Sequence, residues 1–151
     1  MKIRKFISAD RIKLSNLMRE TVIKSNSKDY SKKAIKYLYD EYSPNNLLKD
    51  SEKNAVWVVE EKSELIGTIS LVGNRISRMF VLPKYQGKGV GGKLLKHVEK
   101  YAKTAGNKFL RVRSSTTAFG FYQKMGFRKI RRSSNKALGT IIWMQKKFEA
   151  Q

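Results

Sequence analysis

Apolar and polar positions follow two different periods along this chain. Where apolar residues recur every three or four positions, the pattern predicts amphipathic helices. Short runs rich in β-branched and aromatic residues predict strands instead. Helices are predicted from Ser8 or Asp10 to Val22, from Ala34 to Tyr42, from Val90 to about Ala105 and from Ser114–Thr117 to Lys124. Strands are predicted over residues 2–7, 55–60, 65–72, 75–82, 108–113, 127–132 and 140–148.

The order of these elements predicts a mixed sheet. The three middle strands are joined by short turns and form an antiparallel meander. The strand at 108–113 follows a helix, which makes it parallel to the strand before that helix. Pro44 is expected to end the second helix, and residues 45–54 to form a loop or a single helical turn. Residues 26–29 are a predicted polar break, and 133–139 a predicted link.

Length and composition limit the number of domains and the kinds of site that the chain can contain. The 151 residues are expected to fold as one domain, 1–151, and contain no apolar run long enough to span a membrane. The absence of cysteine excludes disulfides and thiolate metal sites and fits a cytoplasmic location. His97 is the single histidine, so a multi-histidine metal site is excluded and no metal is expected.

The formal net charge of +21 is the compositional outlier. A charge of this size suggests a polyanionic partner such as nucleic acid. However, the basic residues occur in every segment, and spread charge is more typical of a solvated surface than of a binding stripe. Nucleic acid is therefore not the favoured partner.

The stretch from Met79 to Leu95 organises the rest of the chain. An apolar strand stops at Pro83, a loop with four glycines follows, and an apolar helical pattern begins at once. Backbone N–H groups and the positive end of a helix dipole then point at one spot, which predicts an anion site. The four glycines are Gly87, Gly89, Gly91 and Gly92.

Two general nucleotide patterns overlap this loop. G-x-G-x-x-G is the dinucleotide fingerprint, but it occurs here past mid-chain and after a meander, whereas the dinucleotide fold places it after the first strand. NADP stays open because Arg111 or Arg113 could hold a 2′-phosphate. G-x-x-x-x-G-K is the start of a P-loop, but Leu94 replaces the Ser or Thr that would bind Mg²⁺.

A third pattern, Q-x-x-G-x-G, begins at Gln86. A second stretch, Ala118-Phe-Gly-Phe-Tyr-Gln-Lys-Met-Gly-Phe127, follows about 30 residues later. With both motifs in this order, the chain resembles the GNAT superfamily of acyl-CoA-dependent N-acetyltransferases over essentially its whole length. The resemblance implies an α/β (α+β) GNAT fold: a mixed sheet of six to seven strands with a β-meander, a splayed parallel strand pair and about four helices.

The resemblance also implies roles for single residues. The glycine loop would bind the coenzyme A pyrophosphate, and the pantetheine arm would pair with the backbone of the strand before the loop. Tyr122 matches the general acid that protonates the leaving thiolate. Ser115 stands where many family members have Asn. The implied cofactor-binding residues are Phe80, Val81, Gln86, Gly87, Lys88, Gly89, Val90, Gly91, Gly92, Lys93, Ser115 and Lys124.

No general base is visible in the sequence. Glu41, Glu60 and Glu61 are candidates by position, and a chain of water molecules is an equal alternative; His97 is expected to be a surface residue. An acyl-thioenzyme intermediate is impossible without cysteine, so direct attack on acetyl-CoA in a ternary complex is expected.

The resemblance places the acceptor site in residues 20–45 and 128–143, and the second of these is strongly basic. It would suit an amine that carries an acidic group, or a protein amine. The alternative functions are a non-catalytic acyl-CoA-sensing module and a basic nucleic-acid-binding protein. A homodimer that pairs an exposed final strand, Thr140 to Phe148, is also open.

Overall fold

A mixed seven-stranded sheet with helices on both faces forms the framework of the computed structural model, which describes residues 1–25, 27–28, 30–136 and 138–149. The strands are β1 (Lys2–Lys5), β2 (Ala55–Glu61), β3 (Glu64–Val72), β4 (Arg75–Val81), β5 (Phe109–Ser114), β6 (Arg128–Asn135) and β7 (Gly139–Lys147). The helices in the described residues are α1 (Arg11–Lys24), α2 (Lys32–Glu41), α3 (Pro44–Lys53), α4 (Val90–Thr104) and α5 (Phe119–Lys124). Asn26, Asp29 and Ala137, from the predicted break and link, lie outside the described residues.

The sheet order is β1-β2-β3-β4-β5-β7-β6. β2, β3 and β4 form the predicted antiparallel meander, and β4 pairs with β5 in parallel. The turn between β2 and β3 places Lys62 and Ser63 at φ 49° and 65°, the left-handed values that a tight hairpin turn requires. The predicted fold class is therefore confirmed.

The parallel pair is splayed. β4 and β5 are in register only at Arg75–Arg111 and Ile76–Val112, and the two strands then diverge. β5 is held instead by β7, with which it pairs from Phe109 to Ser114. This divergence opens a gap in the middle of the sheet.

Residues 44–53 form a complete helix, so the prediction of a loop or single turn there is wrong. Pro44 is the first residue of α3 rather than only the stop of α2, because its fixed φ suits the first helical position and its missing N–H is not needed there. The Ser43 side chain accepts a hydrogen bond from the Asn46 N–H over 3.3 Å and caps the new helix.

The final strand lies inside the sheet. β7 is hydrogen-bonded to β5 on one side and to β6 on the other, so an exposed β7 free to pair across a dimer is contradicted; β6 is the edge strand. β6 also extends to Asn135, through residues predicted to be part of the link. The long β6–β7 hairpin explains both corrections, since each strand finds its partner in the other.

Helix α4 and the sheet share a close-packed core. A Cβ built on Gly67 of β3 would lie 3.2 Å from Leu94 Cδ1, so the missing side chain lets the helix approach the strand. Trp57 of β2 meets Tyr101 of α4 edge to face, with ring centroids 4.8 Å apart. No helix within the described part of the chain combines the length and the apolar character needed to cross a membrane.

Candidate active site

A cavity of about 620 Å³ lies where β4 and β5 separate. Its walls come from α1, α2, α3, β4, β5, α5 and the β6–β7 hairpin. Its lining includes polar, charged and strand residues, among them Glu41, Asp50, Arg75, Arg78, Val81, Arg113, Ser115 and Tyr122. The cavity therefore brings the predicted acid and part of the predicted cofactor set together with side chains of the N-terminal helices.

The backbone of Val81 faces this gap. Residue pairs in an antiparallel ladder are alternately hydrogen-bonded and non-hydrogen-bonded. Leu82 and Ile66 form a hydrogen-bonded pair, since the Leu82 N–H donates to the Ile66 carbonyl over 2.9 Å. Because neighbours in an antiparallel strand alternate, the N–H and C=O of Val81 point away from β3 and towards β5, while those of Phe80 point to β3. The Val81 carbonyl accepts from Gln86 Nε2 over 2.9 Å. Phe80 is one of the lining residues, and Val81 offers a backbone donor to the cavity.

The glycine loop ends in the first turn of α4. Gly87 and Gly89 have φ 75° and 85°, values that disfavour any residue with a Cβ, and Gly89 is the N-cap of the helix. As a glycine, the N-cap residue has no side chain to accept from the first N–H groups of α4. The first N–H groups of α4 thus stay available, and the helix dipole makes the spot attractive to an anion.

Gly91 has a packing role as well. A Cβ built there would lie 3.1 Å from Met79 Cε and 3.3 Å from Phe121 Cζ, whereas one on Gly92 would be 4.0 Å from Met125 Sδ. A side chain at position 91 would therefore require Met79 or Phe121 to shift by a few tenths of an ångström, whereas position 92 has room for one. The loop serves both an anion site and a close helix contact.

Gln86 fixes the loop to the rest of the fold. Besides Val81, its side-chain amide donates to Ser25 Oγ over 3.1 Å, which joins the end of α1 to the loop. Both bonds use the amide nitrogen and leave the amide oxygen out of these contacts. Lys88 and Lys93 are exposed beside the helix end, and Lys124 is exposed on α5.

Tyr122 is buried at the edge of the cavity, with 6% of its surface exposed. Its ring meets Phe121 and Phe127 edge to face at centroid distances of 5.2 and 5.6 Å. Its hydroxyl donates to Met79 Sδ over 3.5 Å. Burial raises the pKa of the Tyr122 phenol above its ordinary value, so the group stays protonated near neutral pH.

Ser115 acts in the turn that begins α5. Its hydroxyl accepts from the Ala118 N–H over 3.1 Å, and its carbonyl accepts from Ser114 Oγ over 2.7 Å. Ser115 lines the cavity, so the position that the family motif indicates is at the site. Its side chain also fixes the start of the short helix that carries Tyr122.

A β-bulge in β4 carries an arginine that the sequence did not single out as a site residue. The register between β3 and β4 shifts at this point, and Arg78 takes φ 49°. Its guanidinium is hydrogen-bonded to Asp50, lies 4.0 Å from Glu41 and stacks 5.4 Å from the Tyr42 ring centroid. The bulge therefore turns a β4 side chain towards the α2–α3 end of the cavity.

Of the three proposed carboxylate bases, Glu41 alone lines the cavity. Glu60 is paired with Arg4 at 3.2 Å, and Glu61 lies 4.0 Å from the amino terminus, both at the β1–β2 edge. Asp50 also lines the cavity and was missed, because its helix was predicted as a loop; the Ser43-Pro44 start signal followed by Leu47 would have indicated it. His97 lies on α4 against Trp57, at a centroid distance of 5.8 Å, as a surface residue.

Two further arginines lie at the opposite wall. Arg75 is half-buried, and burial together with the nearby Arg113 lowers the pKa of its guanidinium. Asp50 acts in the other direction. The cavity thus has positive charge along its β4–β5 side. Among the described residues no group of three His, Asp or Glu side chains is placed to hold a metal ion.

A family model described as an acetyltransferase (GNAT) domain matches residues 26–148. The chain belongs to the GNAT acetyltransferase family. This match covers both motifs, the splayed strands and the cavity between them. The GNAT resemblance predicted from the two motifs is therefore confirmed.

Solved GNAT structures resemble this one along nearly the whole chain. A GCN5-related N-acetyltransferase from Rhodopseudomonas palustris superposes with a TM-score of 0.87 at 21% identity, covering 97% of this chain and 95% of that one. The PaiA N-acetyltransferase of Thermoplasma acidophilum, solved in complex with coenzyme A, superposes with a TM-score of 0.81 at 27% identity, covering 97% and 98%. The GNAT fold binds coenzyme A or its acetyl thioester.

A curated relative is the peptidyl-lysine N-acetyltransferase YjaB of Salmonella typhimurium, 33% identical over 85 residues. The match spans 56% of this chain and 57% of the relative's length. This GNAT chain therefore shares sequence with an enzyme named for acetylation of protein lysine, over little more than half of each.

Proposed function

We propose that the protein transfers the acetyl group of acetyl-CoA to a primary amine by direct attack in a ternary complex. The observation that carries the proposal is the gap between β4 and β5, with the Val81 N–H on its wall and the N-terminal end of α4, whose N-cap is Gly89, beside it. An extended amide-rich arm fits such a gap as an added strand. The Val81 N–H would then polarise the thioester carbonyl.

The cofactor would be held at its phosphates and along its arm. The N–H groups from Gly87 to Gly92 would bind the pyrophosphate, and Lys88, Lys93 and Lys124 would screen its charge. Ser115 would contact the pantetheine from the start of α5. Its reach is shorter than that of the Asn common in the family, and its hydroxyl already accepts from Ala118.

Tyr122 would be the general acid. The neutral amine nitrogen attacks the thioester carbon, a C–N bond forms, the C–S bond breaks, and the thiolate takes the phenolic proton. The nitrogen then loses its extra proton, which returns to the phenolate through water and restores the acid. Burial favours the neutral phenol, so the proton is present when it is needed. The thiolate leaves within the same water-poor surroundings, which raises its proton affinity too.

The acceptor would enter from the α2–α3 side. An ammonium must lose a proton before it attacks. Glu41 is the candidate carboxylate that lines the cavity, and it would accept this proton directly or through water. The resemblance to a peptidyl-lysine acetyltransferase supports a protein amine as acceptor, and the arginines on the β4–β5 wall support an acceptor with acidic groups.

Thermal-shift measurements with acetyl-CoA, coenzyme A and NADP test the cofactor. Stabilisation by the two coenzyme A ligands and none by NADP is expected. Gly89→Glu should abolish the shift, because a side chain and a negative charge then meet the phosphate site. Stabilisation by NADP alone would contradict the proposal.

Release of free thiol with a panel of amines tests the reaction. Tyr122→Phe should keep the thermal shift and lose turnover. A protein that binds acetyl-CoA but releases no thiol with small amines, peptides or proteins would be a sensing module instead.

A further inference from the structure

The net positive charge is concentrated in the part of the chain from Leu65 to Phe148, because that part contains almost no carboxylates. From Leu65 to Phe148 the chain has 19 Lys and Arg residues and one carboxylate, Glu99. Glu99 is already bonded to Lys146 over 2.8 Å. The half of the chain that builds β4 to β7 therefore has almost no internal partner for its cations.

Five arginines of this half share one face of the sheet. Arg75 is in register with Arg111, Arg111 with Gln145, and Gln145 with Arg128. Arg113 and Arg131 are both in register with Trp143. Cross-strand neighbours lie on the same face, so these side chains form one surface. This arginine face consists of Arg75, Arg111, Arg113, Arg128 and Arg131 around Trp143 and Gln145.

The arginine face has no carboxylate of its own. Within the described part of the chain none of its five arginines makes an ion pair. Four of the five are exposed, and Arg75 is half-buried. Arg111 Nε donates to the uncharged Gln145 Oε1 over 3.0 Å. Arginine forks bind carboxylates in a bidentate manner, so a row of arginines without ion pairs is complementary to a row of acidic groups.

The indole of Trp143 is occupied by guanidinium groups. The Arg131 guanidinium lies 4.6 Å and the Arg113 guanidinium 5.7 Å from the ring centroid, approaching from the strands on either side. Nucleic-acid-binding sheets offer free aromatic rings on which bases stack. Here the ring positions cations instead, which favours recognition of carboxylates over stacking of bases.

The face is continuous with the acceptor cavity. Arg75 and Arg113 line the cavity, while Arg111, Arg128 and Arg131 lie beyond it. β6 is two strand spacings, about 10 Å, from β5. A small amine held in the cavity does not span that distance, but a peptide does.

We infer that the acceptor is a protein or peptide amine flanked by acidic residues, whose carboxylates lie on the arginine face while the amine enters the cavity. The inference rests on the proposed function for the acetyl transfer. It adds the substrate class and the surface that selects it. Charge attraction of this kind acts mainly on the affinity for the acceptor and weakens with salt.

Matched peptides test the inference. Each carries one lysine, a blocked amino terminus with an uncharged dye, and a flank of several glutamates before or after the lysine; the controls replace glutamate by glutamine or by arginine. Fluorescence anisotropy with the protein and coenzyme A measures binding, and thiol release with acetyl-CoA measures turnover. The acidic peptide should bind at least about tenfold more tightly than the glutamine peptide at low salt, and the difference should shrink at about 150 mM salt.

Paired variants on β5, β6 and the opposite face locate the effect. Arg111→Gln with Arg131→Gln should weaken binding of the acidic peptide about tenfold and leave that of acetyl-CoA unchanged. The matched control, Lys96→Gln with Lys100→Gln, removes the same charge from exposed positions of α4, the helix that covers the other face and bonds Lys146 of β7 through Glu99. It should not change binding of the peptide.

Three results would overturn the inference. The first is equal binding of acidic and glutamine peptides. The second is an equal loss in the two double variants, which would mean net charge rather than a face. The third is an RNA oligonucleotide that binds more tightly than the acidic peptide and is weakened alone by Arg111→Gln with Arg131→Gln. Because anisotropy does not require acetyl transfer, a lack of turnover with every amine would refute the proposed function and leave the binding result standing.

Discussion

The hydroxyl of Tyr122 donates its hydrogen bond to the sulfur of Met79, 3.5 Å away across the gap between α5 and β4. A thioether accepts only weakly, so this bond holds the phenol in place without competing strongly for its proton. A thiolate in the same gap is a far better acceptor. The contact therefore orients an acid towards the position where the coenzyme A sulfur is proposed to lie.

Tyr122→Phe is expected to lower kcat about 100-fold or more, since general acids contribute roughly that factor. The Michaelis constant for acetyl-CoA should stay nearly unchanged, because no phosphate or backbone contact is lost. Thiol release at saturating amine measures both. Tyr101→Phe is the matched control, because it removes a phenol from α4 where the ring packs on Trp57 of β2. Full activity in Tyr122→Phe would refute the acid role.

The pH dependence of kcat should reflect the raised pKa of the buried Tyr122 phenol. The pKa of Tyr122 is raised above its ordinary value of 10.0, so the required protonated phenol persists below that pH and is lost only above it. Any fall in kcat below about pH 10 then belongs to another group. A pH–rate profile in which Tyr122→Phe removes an alkaline limb near pH 8 would contradict this.

Two adjacent glycines in α4 should respond in opposite ways to alanine. Gly92→Ala has space around the new Cβ and should stabilise the protein by about 0.5–1 kcal/mol, the usual gain in a helix. Gly91→Ala places a Cβ 3.1 Å from Met79 Cε. The free energy of unfolding of this variant should be about 1 kcal/mol lower than that of the wild type. Urea unfolding of both variants measures the contrast, and equal stabilisation would show that α4 does not pack on β4 as described.

Arg78 offers a direct test of the bulge in β4. Arg78→Gly and Arg78→Ala lose the same contacts with Asp50 and Glu41, but glycine accepts φ 49° without strain. The glycine variant should therefore be more stable than the alanine variant by about 1 kcal/mol, the reverse of the usual order in a strand. Thermal unfolding of the pair decides; the usual order would mean that the bulge relaxes.

The Arg4–Asp10 pair should make stability depend on acid. The Arg4 guanidinium donates to both Asp10 oxygens at 2.8 and 2.9 Å, and this bonding holds the pKa of Asp10 below its ordinary value of 3.8. The stabilisation is complete above that value and is lost as the pH falls through the lower folded-state pKa. Asp10→Asn should cost about 2 kcal/mol at pH 7 and progressively less below pH 4. A cost that stays constant down to pH 3 in urea titrations would exclude the pair as its source.

Local signals in the sequence predicted the meander and the glycine loop, because each depends on residues close together in the chain. Tyr122 was indicated by the resemblance of its motif to the GNAT family, and its role stays a prediction. α3 was missed for a local reason: Pro44 carries the same signal for a helix start as for a stop, and Ser43 decides between them. Asp50 was missed for the same reason, because its place in the cavity depends on α3.

Features set by distant partners were not predictable. Nothing in Thr140 to Phe148 specifies that this strand inserts beside β5, since strand order depends on the register of the whole sheet. The bulge at Arg78 likewise could not be predicted, because the residue with the positive φ is not a glycine. The arginine face could not be deduced from charge alone, because only the pairing of β5, β6 and β7 places Arg111, Arg113 and Arg131 side by side.

The place of β7 inside the sheet has a consequence for biosynthesis. β1 to β4 find most of their strand partners in one another, through consecutive antiparallel ladders. β5 has only two registered pairs with β4, and its longer ladder is with β7, which follows it in the chain. The cleft between β4 and β5 is thus completed only after β7 has been made, so a nascent chain stalled before Gly139 would have the glycine loop but not the second wall of the proposed cofactor groove.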